Sequence, residues 1–183
     1  DYKLYVFLNA VCLPDEERKA IESKLRKNGA TALWLYAPGL IDPDREPKLN
    51  VAWMEELTGF NFEYKRGSFR PRIVIDNPRH PLTAGLPRDR FFGQPDRPLF
   101  GSFETKQPGH LQELTPALTD PLFYLADTLQ SAGGIYFEDG LPALGETDRP
   151  GYRSIWIGAK YVQAEILRAA ARRAGVHIYS ESG

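Results

Sequence analysis

The stretch Leu4-Tyr-Val-Phe-Leu8, Asn9-Ala-Val-Cys-Leu-Pro14, Asp15 to Asn28-Gly29, then Ala30-Thr-Ala-Leu-Trp-Leu-Tyr36 decides the fold. Its two apolar runs do not alternate with polar residues, which predicts strands buried on both faces, the usual state in a parallel sheet. Between them Pro14 suits a first helical turn, and Asp15, Glu16 and Glu17 complement the positive end of a helix dipole. Ile21 and Leu25, four apart, give that helix an inward stripe, and Asn28-Gly29 stops it. Strand, crossover helix and strand make a right-handed βαβ unit.

Downstream, Pro43 to Pro47 reads as a polar loop, and Leu49 to Leu57 as a short helix ending at Gly59. Phe60 to Tyr64 and Arg72 to Ile75 read as strands. From Pro71 to Pro121 lie nine of the fifteen prolines. Proline removes backbone donors and blocks helices, so this half is expected to be short strands, turns and irregular loops. Leu122 to Ala126, Gly134 to Phe137 and Ser154 to Ile157 read as further strands. Tyr161 to Ala174 has the clearest helical spacing, through Val162, Ile166, Ala169, Ala170 and Arg173. Gly175 stops that helix, and Val176-His-Ile-Tyr179 reads as a closing strand.

Several of these segments carry a resemblance. The βαβ pattern with Leu13-Pro-Asp-Glu-Glu17 and Ala37-Pro-Gly-Leu-Ile-Asp42 resembles the β-galactosidase trimerisation domain of glycoside hydrolases. So do Trp53-Met-Glu-Glu-Leu-Thr-Gly59, Asn77-Pro-Arg-His-Pro-Leu-Thr-Ala-Gly-Leu-Pro87 and the segment from Arg153 to Ser180. That domain is a relative of the class I glutamine amidotransferases. The resemblance implies an α/β fold of the flavodoxin-like, amidotransferase-like type, with a mainly parallel sheet and helices on both faces. It also implies a non-catalytic role, with the catalytic carboxylates in a separate barrel domain and copies meeting around a symmetry axis, as in a trimer. The same resemblance places further strands before residue 1, so residues 1–183 are expected to be a single domain belonging to a larger polypeptide.

Composition narrows the classes. The 183 residues are 42% hydrophobic and 26% charged, with a net charge of −1, which gives no electrostatic case for nucleic acid. No apolar run reaches the length of a membrane span. Cys12 is the single cysteine, so an internal disulfide is impossible and the compartment is not readable.

Candidate chemistry is sparse. Cys12 invites comparison with the amidotransferase nucleophile, but Ala10-Val-Cys-Leu-Pro14 lacks the glycine-flanked turn that exposes such a thiolate. A structural, half-buried thiol is expected. His80, His110 and His177 fall in loops or at a strand start, with no metal-ligand spacing among them. The pairs Glu16-Glu17 and Glu55-Glu56 point about 100° apart on a helix and cannot face each other across a sugar. Glu138-Asp139-Gly140 reads as a turn. Gly133-Gly134 lacks the pattern of a phosphate loop, and Arg168, Arg172 and Arg173 suit a helix C-terminus. No catalytic, cofactor-binding or metal-ligating residue is therefore assigned, and no cofactor is expected. Phe91, Phe92, Phe100, Phe103 and Tyr136 are candidates for satellite core, a subunit interface or a sugar-stacking platform, and Leu99 joins Phe91, Phe92, Phe100 and Phe103 in an apolar group expected to favour association.

The expected role is a scaffold or oligomerisation domain of a β-galactosidase-like hydrolase, forming a homo-oligomer or packing against other domains of its polypeptide. Alternatives are a divergent cysteine-dependent amidotransferase-like enzyme and a carbohydrate-binding module.

Overall fold

A computed structural model describes residues 2–67, 69, 71–93 and 121–179. His110, Leu99, Phe100 and Phe103 lie outside them. The βαβ unit forms as the sequence predicts: β1 (Leu4–Phe7), α1 (Asp15–Asn28) and β2 (Thr31–Leu35), with β1 and β2 parallel. All five residues of β2 are buried. Gly29 ends α1 with φ 55°, and its amide turns back to the carbonyls of Arg26 and Leu25.

After β2 come α2 (Val51–Thr58), β3 (Phe62–Lys65), β4 (Ile73–Ile75), β5 (Leu122–Leu125), β6 (Ser131–Tyr136), β7 (Pro142–Arg149), β8 (Tyr152–Ile157) and α3 (Ala164–Arg173). The main sheet has the order β1-β2-β8-β7-β6-β4. Its β1, β2 and β8 are parallel, whereas β8-β7, β7-β6 and β6-β4 are antiparallel. The expectation of a mainly parallel sheet is thus corrected to a mixed one. Short turns at Glu138-Asp139 and Pro150-Gly151 join β6, β7 and β8 directly, and a connection that short permits only antiparallel neighbours. β3 and β5 form a separate two-stranded antiparallel sheet.

β7 escapes the sequence reading because Gly145 interrupts it and Glu146-Thr-Asp-Arg149 is polar. Gly145 is required: a Cβ there would lie 2.8 Å from both Leu125 Cδ1 and Phe60 Cε1. The opposite error occurs at Val176–Tyr179, which forms no strand. Its β-branched and aromatic residues suit a pleated surface, but strand preference is realised only where a neighbouring strand offers a ladder.

Helices cover both faces of the sheet, as expected. On one face Leu33, Leu35, Ile155 and Ile157 pack with Ile166, Ala169 and Ala170 of α3. On the other, Ala32, Trp34 and Trp156 pack with Leu25 of α1 and Met54 and Leu57 of α2. Alternate residues of β2 and β8 serve the two cores, the period-two consequence of a strand. Buried indoles find acceptors: Trp34 Nε1 donates to Ser154 Oγ at 2.9 Å and Trp156 Nε1 to Tyr36 O at 2.8 Å.

Candidate functional site

The inward stripe of α1 contains a charge. Arg18 lies three residues before Ile21 and seven before Leu25, and is 6% exposed. Its guanidinium donates to three backbone carbonyls: Nε to Leu13 O at 2.9 Å, Nη1 to Trp53 O at 2.7 Å, and Nη2 to Gly39 O. Those carbonyls belong to the loop before α1, to α2, and to the loop after β2. Gly39 has φ 67°, and a Cβ there would sit 2.8 Å from Leu57 Cδ2 and 2.9 Å from Arg18 Nη2. Glycine is needed so that the backbone can approach the guanidinium.

Asp42 is fully buried beside Arg18, with Oδ2 3.0 Å from Arg18 Nε and 3.2 Å from Arg45 Nε. Neither contact has hydrogen-bond alignment, because Arg18 Nε points at Leu13 O, so Oδ2 is held by two positive charges rather than by a directed bond. Asp42 Oδ1 accepts the Asp44 amide at 3.1 Å. Arg45 continues the array: Nη2 is 2.8 Å from Asp15 Oδ1, Nη1 is 2.6 Å from Glu56 Oε2, and the guanidinium lies 4.7 Å from the Trp53 ring. Asp15 also pairs with Lys19. These groups border an open cleft of about 520 Å³ lined by Asp15, Lys19, Asp44, Arg45, Glu56 and Arg149, among others.

The electrostatics fix the ionised forms. Hydrogen bonds from Lys19, then Arg45, hold the Asp15 carboxyl below its usual range, and Asp15 in turn pushes Lys19 up. Hydrogen bonds to Glu56 and Asp15 push Arg45 up, whereas burial pulls Arg18 down against the opposing pull of Asp42. A general acid in glycoside hydrolysis needs a carboxyl that stays protonated near neutrality. Asp15 is shifted the other way. The array acts as an electrostatic clamp that fastens the start of α1, the 39–48 loop and α2 to one another.

The residues singled out in the sequence are not brought together. Cys12 lies on the loop entering α1, bridged to Ile41, and is exposed rather than half-buried. No hydrogen bond or ring contact joins it to a histidine among the described residues. His80 Nδ1 accepts the Leu82 amide at 3.2 Å inside the 77–86 turn, where Thr83 Oγ1 donates to Asn77 O at 2.7 Å. Burial lowers the His80 pKa, with Glu146 acting against and Arg173 with that shift. His177 is exposed and stacks edge-on with Tyr179. Glu55 accepts the Phe62 amide at 2.8 Å, Glu56 is bound to Arg45, and Glu138 pairs with Arg72 at the β6-β7 turn. Trp34 and Trp156 are buried and Trp53 lies beside Arg45, which leaves no row of tryptophans for sugar stacking. Phe92 and Tyr136 are core, and the Tyr136 hydroxyl contacts Phe123 O and Gly158 O.

A reading of the sequence passes over the clamp because charged residues are rarely buried. The signal was present: Arg18 occupies the i−3 and i−7 positions of the Ile21 and Leu25 stripe, and Asp42 ends the apolar run Leu40-Ile41.

No protein-family model and no curated protein matches the sequence. Solved structures do match the fold. A catalytic mutant of Gan42B, a GH42 β-galactosidase from G. stearothermophilus, superposes with a TM-score of 0.57 at 15% identity, covering 97% of this chain and 22% of that one. The β-galactosidase from Rahnella sp. R3 gives 0.55 at 11% identity, covering 96% and 23%. The β-galactosidase from Bacillus circulans sp. alkalophilus gives 0.52 at 12% identity, with the same coverage. The chain therefore has the α/β fold of a segment of GH42 β-galactosidases. It spans little more than a fifth of their length.

Proposed function

We propose that this chain is a non-catalytic scaffold and oligomerisation domain of a glycoside hydrolase of the β-galactosidase kind. The observation that carries the reading is the coverage: nearly the whole chain superposes on about a fifth of each β-galactosidase. The trimerisation-domain resemblance of the sequence agrees with it. The charged cleft supports the same role, since Asp15 and Glu56 are bound to Lys19 and Arg45 and Asp44 accepts the Asp15 amide, contacts that tie the loops together. In this reading the sugar chemistry resides elsewhere in the polypeptide.

The test is to assay the purified chain against aryl β-galactosides and against glutamine, with Cys12→Ala alongside. No turnover is expected in either assay. Glutamine hydrolysis abolished by Cys12→Ala would replace the scaffold role with the amidotransferase-like alternative. Hydrolysis of an aryl galactoside by the chain alone would place the glycosidase site within it.

A further inference from the structure

The turn from Asn77 to Leu86 follows β4 and plugs one of the two cores. Leu82, Thr83 and Leu86 are buried, and both leucines share a cluster with Ile166, Ala169 and Ala170 of α3. The bonds of the turn converge on His80. Its carbonyl accepts the Thr83 amide at 3.0 Å and the Ala84 amide at 2.9 Å. Its ring fastens the turn a second time, with Nδ1 accepting the Leu82 amide at 3.2 Å. Asn50, Asn77 and Asp127 bond in the same way to the amide two residues on, at Ala52, Arg79 and Leu129, each through a side-chain oxygen. At residue 80 an imidazole takes that position, and an imidazole titrates near neutrality.

An acceptor at Nδ1 carries no proton, whereas an imidazolium donates from both nitrogens. A proton on Nδ1 would therefore face the Leu82 N–H, donor against donor. The surroundings do not compensate. Burial is the largest force against the charged ring, Arg173 of α3 adds to it, and Glu146 of β7 opposes it. Glu146 is itself committed, with Oε1 2.6 Å from Arg173 Nη2 and 3.1 Å from Arg153 Nε. Asp76 and Arg79, the charged residues nearest His80 in the chain, are exposed.

We propose that His80 is a proton-operated latch on the 77–86 turn: neutral, it holds Leu82 and Leu86 in the core shared with α3, and on gaining a proton it lets the turn open. The sign follows from the two states. The open turn presents an ordinary imidazole, which takes up its proton near pH 6.5, whereas the closed turn takes one up only at lower pH. Between those points opening is coupled to one proton, so the open fraction rises by up to about tenfold for each pH unit of acidification. Above that range the latch is insensitive to pH.

The experiment follows amide exchange of the 183-residue chain by NMR across this range, corrected for the intrinsic pH dependence of exchange. Protection of the Leu82, Thr83 and Ala84 amides should be level above about pH 6.5 and fall by up to about tenfold per unit below it. His80→Asn keeps a side-chain acceptor that gains no proton, and should hold the protection level throughout. On the acid side, exchange at Leu82 should depend on urea far less than exchange at Trp34 in β2, because opening one turn exposes less surface than unfolding the chain. Ring-nitrogen shifts, which need no substitution, should show neutral His80 with its proton on Nε2. Flat protection in the unsubstituted chain, or an unchanged slope in His80→Asn, overturns the latch. Equal urea dependence at Leu82 and Trp34 replaces it with global unfolding, and a neutral ring protonated at Nδ1 removes its acceptor.

Discussion

Replacing Arg18 with alanine should be among the most destabilising single changes in this chain. The substitution removes a guanidinium that contacts Leu13 O, Gly39 O and Trp53 O and neutralises the fully buried Asp42. A buried acceptor left without a partner costs about 1–3 kcal/mol, and removing one member of a buried ion pair about 3–5 kcal/mol. These terms overlap, because Arg45 stays 3.2 Å from Asp42 and water can enter from the cleft. The expected loss is therefore about 3–5 kcal/mol rather than the sum. Arg18→Lys should recover little of it, since one ammonium cannot reproduce a planar fork aimed at three carbonyls. Lys19→Ala is the control. Its side chain is 74% exposed and pairs with Asp15 at the surface, where solvent screens the pair, so the loss should be far smaller than for Arg18→Ala. Urea melts followed by tryptophan fluorescence would measure all three. A loss below about 1 kcal/mol for Arg18→Ala, equal to that for Lys19→Ala, would refute the argument and mean that water serves the guanidinium as well as the carbonyls do.

Leu25→Ala and Ile166→Ala, at 1% and 2% exposure in opposite cores, should each cost about 2–5 kcal/mol in the same melts, against roughly 0.5 kcal/mol for the exposed Lys27→Ala. Lys24 is a poorer control because its ammonium lies 5.6 Å from the Tyr5 ring. The pH dependence of stability should include His80. Because burial holds its folded pKa below the ordinary value near 6.5, the unfolded chain takes up a proton first as the solution is acidified. The contribution of neutral His80 is thus complete above about pH 6.5 and is lost as pH falls toward the folded pKa. His80→Gln should flatten that part of the profile in denaturant midpoints taken across the range, and an unchanged slope would count against the burial of His80.

The sequence by itself determined the local elements whose cause is local. Pro14, the acidic first turn and Gly29 bound α1; the unalternating run Ala30 to Tyr36 became the fully buried β2; and Glu138-Asp139-Gly140 became a turn. What it could not determine was decided by partners distant along the chain. β7 exists because Gly145 admits Leu125 and Phe60 and because Glu146 and Asp148 find Arg153 and Arg173. Val176–Tyr179 has the residues of a strand and no ladder to join. The parallel expectation failed from β8 to β7 and β6 because the short turns that join them permit only antiparallel neighbours, whatever the composition of the strands. Arg18 and Asp42 meet 24 positions apart only once the 39–48 loop folds over α1, and no local pattern identifies which carboxylate, or which three carbonyls, a buried guanidinium will find.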